Sequence, residues 1–292
     1  MKAKLLLLAL PLILLPLSSC SQSGESGGIY ASFYPIYEFA SLVAGDEVKV
    51  YNLTPAGSEP HDYTPTAKTV AGLYDADVIL VNGLGLENWV DSLPSQLSEK
   101  THEVTAGIET LQIDGQDDPH VWLDPENAIT EMENIYEILC SLYPEKEAVF
   151  ATNLANAMSD FQQLDARLSQ IAESTENKYI LTSHAAFGYL CQAYGFTQIY
   201  LSGLSPDDEP TASALEDIIA AVKEYGIGTV FYEEAVSSEV AEAIASQTGC
   251  KTETLNPLET LSQDALDEGD NYSSVMTDNL NKIKIAGGSN GD

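Results

Sequence analysis

Four histidines occur in the 292 residues, His61, His102, His120 and His184, and three of them stand where chain segments change character. His61 lies in Ser58-Glu59-Pro60-His61-Asp62-Tyr63, a few residues beyond a strand-like run. His120 lies in Asp118-Pro119-His120-Val121-Trp122-Leu123-Asp124-Pro125, just ahead of a helix start. His184 directly follows the strand-like Tyr179–Thr182. Neutral imidazole is a good ligand for a borderline ion such as zinc, and three imidazoles with one carboxylate complete a tetrahedron. The separations of 59 and 64 residues are too wide for a zinc finger or a paired-histidine helix. They suit a site assembled from separate loops. A single histidine is most often structural or solvated, as His102 in Ser98-Glu99-Lys100-Thr101-His102-Glu103 is expected to be, on a loop or strand edge. The three together are a candidate metal set.

The elements that would position them alternate strand with helix. Val48–Leu53 and Val78–Val81 read as strands of a first group. Tyr179–Thr182, Gln198–Leu201, Thr229–Tyr232 and Thr252–Leu255 read as strands of a second. Asp124-Pro125 opens a helix, with Asp as N-cap and Pro at the first helical position, and Ile129, Met132, Tyr136, Leu139 and Tyr143 form its apolar stripe. Leu215, Ile218, Ile219 and Val222 mark another helix that Gly226 can stop, and a further one covers about Val240 to Gln247. Between the two groups, Phe150, Leu154, Met158, Phe161, Leu164, Leu168 and Ile171 recur every three or four residues. They predict one helix from Glu145 to Glu173, roughly 40 Å long at 1.5 Å per residue. The expected fold class is α/β: two lobes with central parallel sheets, joined by one long rigid helix. Ligands of open α/β sheets bind beyond the carboxyl ends of the strands, which puts the histidines in the crevice between the lobes.

Lys2 and Lys4, the apolar run Leu5–Leu17 and the small residues Ser18-Ser19 read as a secretory signal over residues 1–19. The run is too short for a bilayer span, which takes about 20 residues. Leu17-Ser18-Ser19-Cys20 resembles a bacterial lipobox, so Cys20 is expected to be lipidated and residues 20–28 to form a flexible tether. An N-terminal lobe over 29–144, a linking helix over 145–175 and a C-terminal lobe over 176–292 complete the expected organisation.

The formal charge of −33 becomes −35 once Lys2 and Lys4 leave with the signal. Such a chain repels nucleic acid, which is not expected as a partner, and attracts cations. With Cys20 assigned to lipid, Cys140, Cys191 and Cys250 remain, and spacing chooses none of their three pairings. None lies in a CxxC pattern, which disfavours a thiolate zinc site.

Between Ile29 and Ile285 the chain resembles the metal-binding lipoproteins that serve ABC transporters for zinc and manganese (the cluster A-I, or cluster 9, solute-binding proteins). The resemblance is carried by Pro60-His61-Asp62-Tyr63, Asn82-Gly83-Leu84-Gly85-Leu86-Glu87, the specific Asp118–Pro125 stretch, His184-Ala185-Ala186-Phe187-Gly188-Tyr189, Glu209-Pro210-Thr211 and Asn256-Pro257-Leu258-Glu259. It implies two lobes joined by one long helix and makes His61, His120 and His184 the first three ligands. Manganese and iron relatives often have Glu at the third position, so His184 points to zinc, with manganese the alternative. Many relatives carry an Asp where Asn256 stands. Some zinc-binding relatives use a Glu in a Pro-Leu-Glu stretch, so the resemblance selects Glu259 as fourth ligand, with water or Glu59 as alternatives. Leu111–Asp118 is short and holds no histidine, unlike the His-rich insertion of several zinc-binding relatives.

The expected partners are a transition-metal ion, an ABC permease with its ATPase, and the cell membrane through the lipid anchor. A monomer and no enzymatic activity are expected. Two rivals are a secreted zinc hydrolase, disfavoured because Glu259 would close the fourth position, and a surface adhesion protein with a structural metal. An anionic organic ligand is disfavoured because Arg167, the only arginine, falls in the linking helix.

Overall fold

The structure, a computed structural model, describes residues 27–206, 210–233 and 237–288. The signal, Cys20, most of the tether and Glu209 lie outside the described residues. No helix among the described residues is long and apolar enough to cross a membrane.

The first lobe begins with β1 (Ile29–Ala31), α1 (Tyr34–Ala44), β2 (Val50–Asn52), α2 (Ala67–Leu73) and β3 (Val78–Val81). It continues with α3 (Ser95–Ser98), β4 (Thr101–Glu103), a two-stranded ribbon of β5 (Gln112–Ile113) and β6 (Gln116–Asp117), and α4 (Pro125–Leu142). Strands β2-β1-β3-β4 make one parallel sheet. All four residues of β3, Val-Ile-Leu-Val, are buried, as a strand covered on both faces requires. The helix start at Asp124 is as expected: its carboxylate accepts the Glu126 N–H at 2.9 Å and Pro125 occupies the first turn.

The long helix α5 runs Glu147–Glu173, preceded by a 3-10 turn at Pro144–Lys146 that takes up the first residues of the predicted span. Phe150, Leu154, Ala157, Phe161, Leu164, Leu168 and Ala172 form its buried stripe. It packs against α1 and α4 on one side and against two second-lobe helices on the other.

The second lobe holds β7 (Tyr179–Thr182), α6 (Gly188–Tyr194), β8 (Thr197–Tyr200), α7 (Ala212–Tyr225) and β9 (Thr229–Tyr232). It closes with α8 (Glu239–Thr248), β10 (Lys251–Thr254), α9 (Gln263–Glu268) and α10 (Tyr272–Gly287). The helices that meet α5 are α6 and α10. The sheet order is β10-β9-β7-β8, again all parallel. In both sheets the first strand of the lobe lies between the second and the third, so the lobes share one topology. One apolar core runs through both lobes around α5, joining Phe39, Trp122, Met132, Phe161, Leu258 and Tyr272, while a smaller core sits on the outer face of each lobe.

Three local readings are corrected. The strand expected at Val48–Leu53 is Val50–Asn52, and two others shift by one residue, to Thr197–Tyr200 and Lys251–Thr254. The loop before His120 contains the β5–β6 ribbon, because Asp114-Gly115 adopts positive φ (52° and 82°), the backbone a two-residue hairpin needs. Strands β1 and β4, three residues each, leave no mark in the sequence because alternation cannot register over so short a run.

Candidate metal centre

His61 sits in the loop beyond β2, and His184 two residues beyond β7, at the mouth of a 3-10 turn over Ala185–Phe187. His120 opens the 3-10 turn Val121–Leu123 that leads into α4. Glu259 lies five residues beyond β10. Three of these four positions therefore follow the carboxyl end of a strand, the side at which open α/β sheets bind ligands.

The four side chains converge. His120 Nε2 is 3.2 Å from His61 Nε2 and 3.4 Å from His184 Nε2. Glu259 Oε1 is 3.0 Å from His120 Nε2, 3.3 Å from His184 Nε2 and 3.5 Å from His61 Nε2. A tetrahedral zinc with bonds of about 2.0–2.2 Å has ligand–ligand edges of roughly 3.3–3.6 Å. Three of the five observed distances fall in that range, and the other two, 3.0 and 3.2 Å, lie just below it. Three imidazole lone pairs cannot share so small a space unless protons or a cation lie between them. His120, His184 and Glu259 are buried, and His61 keeps 11% of its side-chain surface, so the cluster meets solvent on the His61 side. Glu259 Oε2 is buried without a hydrogen-bond partner, and a divalent ion at the centre fits that donor set.

Two carboxylates behind the cluster aim the rings. Asp118 Oδ1 accepts the His120 backbone N–H at 3.0 Å and lies 2.7 Å from His120 Nδ1. Glu233 Oε1 lies 2.5 Å from His184 Nδ1 and accepts the Ser183 hydroxyl at 2.5 Å. A carboxylate on Nδ1 keeps that nitrogen protonated and leaves the Nε2 lone pair for a metal. Register puts Glu233 there: Thr182 of β7 pairs with Phe231 of β9, and His184 and Glu233 each lie two residues further on. The loop of His120 is fixed from the first sheet, since the Asn82 amide donates to Pro119 O at 3.0 Å. Sequence reasoning missed Asp118 and Glu233 as ring partners. Asp118, two residues before His120, carried a local signal, whereas Glu233 carried none, because its role depends on strand pairing.

Electrostatics tie the cluster to protons. Burial works against charge on His120, but the hydrogen bonds to Asp118 and Glu259 outweigh it and raise the imidazole pKa. His184 stands well above the usual range, because attraction to Glu233 and Glu259 overcomes burial. Burial alone would raise Glu259, yet the charge on His184 and hydrogen bonds from the three rings hold it well below the usual carboxylate range. Glu59 is pushed up to about 9, first by burial and then by the neighbouring Glu259. A cation entering the cluster must therefore displace protons.

The other candidates are not among the four converging ligand atoms, although Glu59 neighbours Glu259. Glu59 accepts the His61 N–H at 3.1 Å, and the Asn256 side chain accepts the Leu258 N–H at 2.7 Å, so each has a local backbone partner. His102 is exposed on β4. Cys140, Cys191 and Cys250 stand as free thiols, and none of the three pairings left open by spacing is formed.

Two parallel-sheet lobes clasping one rigid helix, with three imidazoles and a carboxylate converging between them, define the class of two-lobed binding proteins for a transition-metal ion. Within that class, the family model described as zinc-uptake complex component A, periplasmic (ZnuA) matches residues 29–286, and the chain belongs to this family. It is 37% identical to the zinc-binding lipoprotein AdcA of Streptococcus pneumoniae over 96% of this chain, which spans 60% of the length of that relative. It is 34% identical to the high-affinity zinc uptake system protein ZnuA of Bacillus subtilis, over 91% of this chain and 89% of the relative. The Zn(II)-bound ZnuA-like domain of S. pneumoniae AdcA superposes with a TM-score of 0.78 at 39% identity, covering 90% of this chain and 99% of that domain.

Proposed function

We propose that this protein captures zinc outside the cytoplasm through His61, His120, His184 and Glu259 and delivers it to an ABC permease driven by its ATPase. The observation that carries this reading is the convergence of the four ligand atoms, five of whose six separations are 3.0–3.5 Å, close to the edges of a zinc tetrahedron. Zinc is favoured over manganese because three nitrogens and one oxygen at tetrahedral spacing suit a borderline-soft ion, whereas manganese prefers octahedral oxygen sites. The family and the zinc-binding relatives support the same reading.

The protein's work is to bind, enclose and release. Asp118 and Glu233 hold the rings so that zinc exchanges water for preset nitrogens with little reorganisation. Burial of three of the four ligands keeps water from competing for the ion. The unbroken α5 packs on both lobes and opposes a wide hinge swing, so small lobe tilts and movements of the loops around His184 and Glu259 are the route of release. The transporter then needs only to favour a form that binds zinc less well. We place the signal at residues 1–19, the lipid on Cys20 and the tether over 20–28. The N-terminal lobe is then 29–144, the linking helix 145–175 and the C-terminal lobe 176–292. The working unit is a monomer.

Metal content and chelator competition on the soluble body, wild type beside His184→Ala and Glu259→Ala, test this assignment. Each variant is expected to lose zinc affinity, with manganese remaining the weaker competitor in the wild type. Undiminished zinc binding in both variants would remove the ligand assignment.

A further inference from the structure

The segment Asn256–Glu259 departs from the backbone that its sequence would choose. Leu258, fully buried, has φ 62°, the left-handed region that an L side chain adopts only when its surroundings hold it there. The next residue is Glu259, so this turn decides where the carboxylate points.

Three successive peptides of the turn, those flanking Asn256 and the one between Pro257 and Leu258, are held by side chains. Asn279, buried on α10, faces the Asn256 backbone with its amide: Oδ1 accepts the Asn256 N–H at 3.0 Å and Nδ2 donates to the Asn256 carbonyl at 2.6 Å. Asn256 then uses its own side chain to accept the Leu258 N–H at 2.7 Å. The intervening carbonyl of Pro257 accepts the Trp122 indole N–H at 2.8 Å. On the far side, the Gly57 N–H, in the loop that leads to His61, reaches both Thr260 Oγ1 at 2.8 Å and Leu261 O at 3.0 Å. The loop bearing Glu259 is thus bonded to segments carrying two of the three histidines.

Of these contacts, the amide of Asn279 is the one that binds both peptides flanking a single residue, Asn256, and comes from α10. We infer that Asn279 is a positioning residue for the metal site: it fixes Asn256, Asn256 fixes the left-handed Leu258, and Leu258 delivers Glu259 to the three imidazoles. This rests on the reading of Glu259 as fourth ligand. Without Asn279, Leu258 relaxes to negative φ and the carboxylate turns away, leaving the fourth position to water. The same chain explains Asn256: its side chain works as a turn acceptor, not as a ligand.

The test uses the soluble protein loaded with Co2+, whose visible absorption is intense when four-coordinate and weak when five- or six-coordinate, together with stopped-flow zinc release to a chelator. Asn279→Ala and Asn279→Asp are measured beside wild type, Glu259→Ala and Leu280→Ala. Asn279→Asp keeps the acceptor for the Asn256 N–H but sets a second acceptor against its carbonyl. Leu280→Ala, on the core face of the same helix, controls for lost stability. The expected result is a weakened Co2+ spectrum and zinc release accelerated about 10–100-fold in both Asn279 variants, the effect usual for residues that orient a ligand. Leu280→Ala should lower the unfolding midpoint and leave spectrum and release rate alone. A wild-type spectrum and release rate in both Asn279 variants, with Glu259→Ala altered, overturns the inference alone. A wild-type spectrum in Glu259→Ala overturns the ligand reading and the inference with it.

Discussion

Two buried carboxylates behind the imidazoles set the chemistry of this centre as much as the ligands do. Glu233 lies 2.5 Å from His184 Nδ1, so it acts on the centre through that ring. Truncating it leaves the His184 tautomer unspecified and the Ser183 hydroxyl without its acceptor. Glu233→Ala is expected to weaken zinc binding by about 10–100-fold while leaving the fold intact, measurable by chelator competition. Protons compete for the same atoms. His120 and His184 have raised pKa values before metal binds, so their contribution to the stability of the metal-free protein is complete below the unfolded imidazole value of about 6.5 and is lost as pH rises through the folded values. Glu59, raised to about 9, adds the same sign, because the unfolded carboxyl ionises first. The metal-free protein should therefore show a falling thermal midpoint as pH rises above about 6.5. Zinc affinity should move the other way and decline as pH falls through the same range. A metal-free midpoint that climbed steadily with pH would contradict this electrostatic picture.

At the scale of elements, loops and short turns rather than the helices and strands themselves carry the candidate ligands. The 3-10 turns after His120 and His184 are packed by fully buried Val121, Trp122 and Leu123 in one case and Ala185, Ala186 and Phe187 in the other. Gly188 follows the second turn, and a Cβ there would come within 2.8 Å of Asp118 Oδ2. This glycine is a matter of space: it lets α6 approach the carboxylate that aims His120. Gly188→Ala is predicted to push Asp118 aside and to reduce zinc affinity several-fold, a smaller effect than that of Glu233→Ala because Asp118 can shift before its bond to His120 breaks. Equal affinity for wild type and Gly188→Ala in chelator competition would show that the contact is absorbed elsewhere.

Across the whole molecule, α5 makes the two lobes one mechanical body. Its buried stripe belongs to a core that includes Phe39 and Trp122 from one lobe and Tyr272 and Leu280 from the other. The Tyr272 hydroxyl donates to Trp122 O at 2.6 Å, and the Tyr272 N–H donates to the Glu38 carboxylate, so α10 is fastened to the first lobe by its leading residue. The proposed ligands come from both lobes, so zinc is expected to stabilise their junction by mass action, by about 4 kcal/mol when free zinc exceeds its dissociation constant a thousandfold.

The sequence by itself determined the α/β class, the long helix and the cap at Asp124, and singled out the three histidines as a candidate set. These are local signals: a helical repeat of three to four, short apolar runs, and a few rare residues at element ends. The resemblance added Glu259 as a choice among open alternatives. Only the tertiary structure brought the four candidate ligand atoms within a few ångströms of one another, since they stand on loops from two separate sheets. It also decided the roles of Glu233, Asn279 and Gly188, whose partners are distant in sequence and adjacent only through strand register and helix packing. Periodicity reports which face of an element is buried. It carries no record of what that face meets, and the geometry of a metal site is made of such meetings.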